Sequence, residues 1–341
     1  MAPLRQARET RLLETGGDSA RFAAKIDLDW SVFRKPHGGY LLAVILDATS
    51  RFQQHSKPHH PDPAHLVCHF ITGTDEGEAT VDIKRVRTGK SWTNLYVELK
   101  QKENVRITCQ LLYTRMPDIP TDDPQKPFSD SHQYLLPSTP SAFAKQSPFL
   151  THPAQCQVGQ GVRDDDGRRW SKNSAFCFMP EHVQWAEDLA IKQRRLDSSD
   201  RKDRDLEWAA WLEFKKSDTV DQGSIGMSSI PELFPEGERI EPHYFPTLAM
   251  SVHFHARLPL TGPYLSAPQT IGCYSKGSGI ISQGRHEQLV EVWTAPGPIG
   301  TGEVQEDWRR KCIPLATSTQ LALCVPASKL KAAAASGQPK L

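Results

Sequence analysis

A histidine followed by two glycines, His37-Gly38-Gly39, opens the most apolar stretch of the chain, residues 40–52. This juxtaposition suits carbonyl chemistry. Glycines let a backbone approach closely and leave N–H groups free at a helix start, where the positive end of the helix dipole reinforces them. Groups so placed can hold a carbonyl oxygen as negative charge develops on it. His37 can orient the carbonyl or a water; it can equally be a packing residue bonded to a backbone carbonyl, with Gly38-Gly39 a plain turn.

Other reactive residues form weaker sets. His59-His60 with Asp62 lie in a proline-rich loop without metal-ligand spacing, so no metal is expected. Seven cysteines include no Cys-x-x-Cys pair, which points to reduced thiols inside a cell rather than zinc or a disulfide scaffold. No Gly-x-Ser-x-Gly elbow occurs, which disfavours a serine hydrolase of the α/β type. No cofactor is expected. The formal net charge of +1 gives no electrostatic case for nucleic acid or an anionic membrane as partner. No apolar run reaches bilayer-spanning length, and the polar N-terminus with Arg5, Arg8 and Arg11 is not a secretory signal. The chain ends Pro339-Lys340-Leu341, one position from a peroxisomal Ser-Lys-Leu. The expected location is cytoplasmic, or peroxisomal if that tripeptide is read as an address.

The elements that must position these residues follow from hydrophobic period. Residues 40–52 are apolar nearly all round, as a fully buried helix is. Runs at 65–72, 77–88, 91–100 and 105–114 read as strands, with Thr88-Gly89-Lys90 as a hairpin signal. One buried helix followed by an antiparallel meander implies a sheet that wraps the helix. Residues 184–204 read as a charged helix and 206–214 as a strand opening a second half. The chain then divides into a first domain at 20–116, a linker and insertion with a charged helix at 117–204, a second domain at 205–326, and a disordered tail at 327–341.

The second half echoes the first. His69-Phe70 returns as His253-Phe254, an offset of 184 (253 minus 69). Gly89-Lys90 and Gly277 differ by 188 (277 minus 89), and Gln110-Leu111-Leu112 and Gln320-Leu321-Ala322 by 210 (320 minus 110). Three echoes in one order support an internal duplication.

A family resemblance rests on these residues. Asp29-Trp30, Pro36-His37-Gly38-Gly39-Tyr40 and His65-Leu66-Val67-Cys68-His69-Phe70 resemble the first half of double-hotdog acyl-CoA thioesterases, including bacterial thioesterase II and the thioesterase-like superfamily of fungal genomes. Phe245-Pro246-Thr247-Leu248, Ser251-Val252-His253-Phe254-His255 and Leu315-Ala316-Thr317-Ser318-Thr319-Gln320 are similar to the matching strands of the second half. The implied fold is α+β: two tandem hotdog domains, each an antiparallel sheet wrapped round a central helix, forming an intramolecular double hotdog. The resemblance places Trp30, Gly38, Gly39, Tyr40 and Ser278 against the substrate.

In the resembled bacterial pattern the second hotdog supplies an Asp, a Ser or Thr, and a Gln that together activate a water. Gln320 takes the Gln position, and Ser275 or Ser278 the hydroxyl. Alignment on Phe254-His255 puts Ala249 where the aspartate belongs. His253 and Ser251 share the strand face of Ala249 and can stand in, as can His37. The Arg85, Arg87 and Lys90 group at a hairpin suits either CoA phosphates or plain solvation.

The resemblance implies an enzyme that hydrolyses an acyl thioester, either acyl-CoA or an acyl or polyketide group on a carrier protein. The alternative is a hotdog protein that has lost hydrolysis at Ala249 and binds or cyclises a polyketide-like ligand. A homodimer is compatible with either.

Overall fold

The structure is a computed structural model that describes residues 2–32, 35–54, 57, 59–116, 145–159, 162–163, 169–170, 183–197, 206–215, 220–228, 243–257, 267–277 and 282–326. The expectations for Ser278, for the C-terminal tripeptide and for the tail at 327–341 lie outside these residues.

Twelve strands form one antiparallel sheet. They are β1 (Thr10–Gly16), β2 (Ser19–Ile26), β3 (Asp62–Phe70), β4 (Gly77–Thr88), β5 (Thr93–Gln101), β6 (Asn104–Thr114), β7 (Val183–Glu187), β8 (Leu206–Phe214), β9 (Thr247–Phe254), β10 (Thr270–Gly277), β11 (Arg285–Thr294) and β12 (Pro314–Leu323). Their spatial order is β1-β2-β4-β5-β6-β3-β9-β12-β11-β10-β8-β7. Read from either end inward, the order is the same for each half, as an internal duplication requires.

The two halves meet where β3 pairs with β9, with His65 opposite His253, Val67 opposite Ser251 and His69 opposite Ala249. The first half has its helix, α1 (Gly38–Gln54), against the sheet's inner face. Leu41, Leu42, Ala43, Val44, Ile45 and Leu46 are all buried, which accounts for a stretch without a polar side. The strands alternate accordingly. Along β5, Thr93, Leu95, Val97, Leu99 and Gln101 are buried and the residues between them are half-exposed.

The sheet's second half begins earlier than the sequence suggested. Residues 183–187, expected mostly within a charged helix, form β7 on the outer edge, and only Leu189–Asp197 is helical (α2). Its helix, α3 (Gln222–Ser228), was not legible at all. It starts 184 residues after α1 (222 minus 38), the offset that separates the two His-Phe pairs. The two helices touch at Gly226, where an added Cβ would lie 3.0 Å from Leu46 Cδ1 and 3.6 Å from Leu42 Cβ. A glycine here lets the helices pack closely. Arg8 forms an ion pair with Asp221 just before α3, tying the N-terminal segment of the first half to the second.

The outer face of the second half has its own apolar cover. Phe149 stacks on Trp211 with ring centroids 4.1 Å apart, and Trp293, Ile299 and Cys312 complete a second buried cluster. All six described cysteines are free thiols. No helix among the described residues is long and apolar enough to cross a membrane.

Candidate functional site

On the inner face of the second half, four neighbouring strands contribute a polar patch within an otherwise apolar layer. β10 supplies Ser275, β11 supplies His286 and Gln288, β12 supplies Gln320, and β9 supplies Thr247. Registers fix their adjacency. Gln288 is opposite Gln320, His286 is opposite Ala322, and Ala322 is also opposite Thr247. Ser275, His286, Gln288 and Gln320 are all buried. Trp208 directly across from Ser275, Met250 across from Gln320, and Val290 form apolar walls.

The hydrogen bonds leave specific valences open. Gln288 Nε2 donates to Ser275 Oγ at 2.5 Å. The serine oxygen is thereby an acceptor, and its own hydrogen is left to donate onward. Gln320 Nε2 donates to Thr247 Oγ1 at 2.7 Å, while Gln320 Oε1 is buried with no partner among the described residues. An unpartnered buried acceptor costs roughly 1–3 kcal/mol, so the fold retains it against a stability penalty. Both ring nitrogens of His286 are likewise buried and unpartnered among the described residues. Its ring meets Phe245 edge-on at 5.2 Å, and burial lowers its pKa, so it is neutral near pH 7. Among the described residues no carboxylate bonds to Ser275, Gln288, Gln320 or Thr247.

Sequence reasoning reached Ser275 and Gln320, which the structure brings onto one face, but missed Gln288, Thr247 and His286. Even-numbered spacing along β11 was the available signal, since 286, 288 and 290 must share a face. Ala249 is not beside Gln320. A bulge between Thr247 and Ala249 turns Thr247 inward, whereas Ala249 is set opposite Leu321 and the exposed His69 on the outer face. Ser251 and His253 share that outer face, so the structure does not bring His253 to Gln320. His253 stacks on His65 at 4.3 Å, and His65 Nε2 bonds Ser251 Oγ at 2.8 Å. Nearby, His255 Nε2 bonds Thr317 Oγ1 at 3.0 Å. The echo between Gln110 and Gln320 does not extend to direction, because Gln110 is exposed and Gln320 buried.

At the entrance to α1, His37 is buried; its backbone N–H donates to Trp30 O at 2.8 Å and its carbonyl accepts from Leu41 N. The first-turn N–H groups of Gly38 and Gly39 have no intrahelical acceptor, as at any helix start. Trp30 and Tyr40 are fully buried and stack at 6.0 Å. Their polar atoms hold the N-terminal segment: Trp30 Nε1 donates to Ala2 O, and Tyr40 OH donates to Ala7 O. Burial raises the Tyr40 pKa to about 12. These bonds tie both side chains to the N-terminal segment. His60 is occupied by Thr93 Oγ1 at 2.8 Å, and no group of metal-ligating side chains occurs among the described residues.

A surface trough of ≈ 670 Å³ lies elsewhere, on the outer face of the first half, lined by Arg21, Asp82, Lys84, Tyr96 and Glu98. Several of its charges are already paired: Arg21 with Asp82 at 2.6 Å, and Asp82 and Glu98 with the neighbouring Lys100 at 3.0 and 2.7 Å. It offers no open valence comparable to that of Gln320.

Residues 26–115 match the family model of the acyl-CoA thioesterase N-terminal domain, spanning α1 and β3 to β6. The chain has a double hotdog fold, and residues 26–115 are similar to the acyl-CoA thioesterase N-terminal domain. Solved structures agree on the fold over nearly the whole length. A candidate thioesterase II from Thermobifida fusca superposes with a TM-score of 0.60 at 17% identity, covering 94% of this chain and 97% of that one. A hot dog protein of unknown function from Alicyclobacillus acidocaldarius gives 0.61 at 15%, with coverages of 94% and 97%. An acyl-CoA thioesterase II from Mycobacterium marinum gives 0.56 at 12%, with coverages of 94% and 96%. No curated protein matches the chain in sequence. The double hotdog explains the palindromic strand order and puts the polar patch in the half that the family model does not reach.

Proposed function

We propose that this double hotdog hydrolyses acyl thioesters, with acyl-CoA or a carrier-bound acyl group as substrate. The observation that carries the reading is Gln320 Oε1, a buried acceptor with no partner among the described residues, on the same sheet face as a serine that accepts from Gln288 and keeps its hydroxyl hydrogen to donate. Gln320 Oε1 accepts one hydrogen of a water, and Ser275 Oγ–H donates to the thioester oxygen as charge builds there. The apolar walls exclude bulk water and strengthen both interactions. The helix start at Gly38-Gly39 supplies a further set of open N–H groups for the thioester or its pantetheine arm.

The test is release of free thiol from a panel of acyl-CoA esters of increasing chain length, with Gln320→Ala in parallel. Release that depends on Gln320 supports the reading; none at any chain length overturns it. A second reading follows from the lack of a bonded carboxylate at the patch: a hotdog that binds or cyclises a polyketide-like ligand without hydrolysis. Saturable ligand binding with no thiol release separates it from the first.

A further inference from the structure

We propose that His286 is the general base of this site, taking a proton from the attacking water; this rests on the hydrolase reading above. His286 is two residues from Gln288 along β11 and on the same face. It is opposite Ala322, whose other neighbour across the sheet is Thr247, the residue bonded to Gln320. Gln320 is two residues from Ala322 on β12, so His286 and Gln320 are diagonal cross-strand neighbours, a spacing that long side chains bridge.

The two residues are complementary to one ligand. Gln320 Oε1 accepts, and a neutral imidazole accepts at one nitrogen. A water that donates one hydrogen to each has its oxygen lone pairs directed away from both, toward an incoming carbonyl carbon. A buried ring with two unsatisfied nitrogens is otherwise hard to account for. Phe245, edge-on to the ring, limits its rotation.

The step balances. The water oxygen forms a bond to the thioester carbon while its proton passes to His286, and the carbonyl π pair moves to oxygen, stabilised by the Ser275 hydroxyl. The intermediate then collapses, the C–S bond breaks, and imidazolium returns the proton to the leaving sulfur. The products are a carboxylic acid and a free thiol.

The electrostatic setting keeps the base available. On β11, Glu287 and Glu291 point to the other face. Just past the end of β12 the titratable neighbour is Cys324, a thiol whose pKa burial raises, so it is uncharged. β9 and β10 present Thr247, Met250, Ser275 and Gly277. Burial sets the direction of the His286 shift, and it acts without a contribution from any charged group.

The experiment is the pH dependence of acyl-CoA hydrolysis by wild type, His286→Asn and His286→Ala, with added imidazole for the last. Wild-type kcat/KM is expected to be flat above neutrality and to fall through a single ionisation below pH ~6.5, the ordinary histidine value. His286→Asn should lose about 10²–10⁴-fold in kcat with KM little changed, and imidazole should partly restore His286→Ala. Melting temperatures, together with this rescue, guard against misfolding as the cause of the loss. Wild-type turnover that is independent of pH from 5 to 8, or a His286→Asn variant that keeps both rate and acid limb, overturns the assignment while leaving hydrolysis standing. If wild type releases no thiol from any ester, the hydrolase reading itself falls, and His286 with it.

Discussion

Gln288 and Gln320 face each other on adjacent strands, yet Gln288 turns its amide nitrogen the other way, to Ser275. The two carboxamides thus differ: Gln288 donates to the serine hydroxyl, while Gln320 keeps an oxygen with no partner among the described residues. Ser275→Ala should lower kcat/KM by about 10²–10³-fold, as expected for removal of an oxyanion donor. Gln288→Ala, which only frees the serine rotor, should cost less. Steady-state thiol release across the two variants checks this ranking, and a larger loss from Gln288→Ala would contradict it.

The bulge in β9 makes a prediction against simple alignment. Since Ala249 is set opposite Leu321 and exposed His69, an aspartate there adds a carboxylate to the outer face. Ala249→Asp should leave hydrolysis within about twofold of wild type, as outer substitutions do. Thr247→Val should lower it by freeing the Gln320 amide. A large gain from Ala249→Asp would show that the carboxylate reaches the inner patch after all.

The histidines near the seam make stability sensitive to acid. Burial, with His253 and Lys145 nearby, lowers the His255 pKa to about 4. Burial and His253 also lower that of His65. The unfolded chain binds protons at the ordinary value near 6.5, so between 6.5 and 4 it holds more protons than the folded one. Stability is thus fully present above pH 6.5 and drains away as pH falls toward 4. Melting temperature should decline over that window, and His255→Asn should flatten the decline.

Gly272 has no room for a side chain: an added Cβ would lie 2.5 Å from Phe149 Cζ and 2.7 Å from Trp211. Gly272→Ala should destabilise by about 1–3 kcal/mol through forced repacking of that stack. A denaturant midpoint unchanged from wild type would show that the cover segment yields freely.

Much of the first half was legible because burial and period coincide there. The helix at 40–52 could only be buried, and the strand expected at 77–88 is β4 to the residue. β1 and β2 escaped notice. β1 is an edge strand whose residues after Thr10 are all exposed, so it carries no apolar alternation. α3 was hidden because its sequence, with two glycines and two serines in seven residues, lacks an apolar stripe and relies on α1 for packing. At the site, Gln320 and Ser275 were readable as residue types. Their partners depend on a one-residue bulge and on cross-strand register, which a linear pattern does not encode.

The β3–β9 seam has a consequence for how the protein can be handled. Expressed alone, the half that matches the thioesterase family model would present an unpaired β3 edge with Leu66 and Cys68 uncovered, and would stick to itself or to any free strand. The same edge makes the halves natural split-protein fragments. Co-expressed as separate chains, they should reassemble across that seam, recovering turnover that neither fragment has alone.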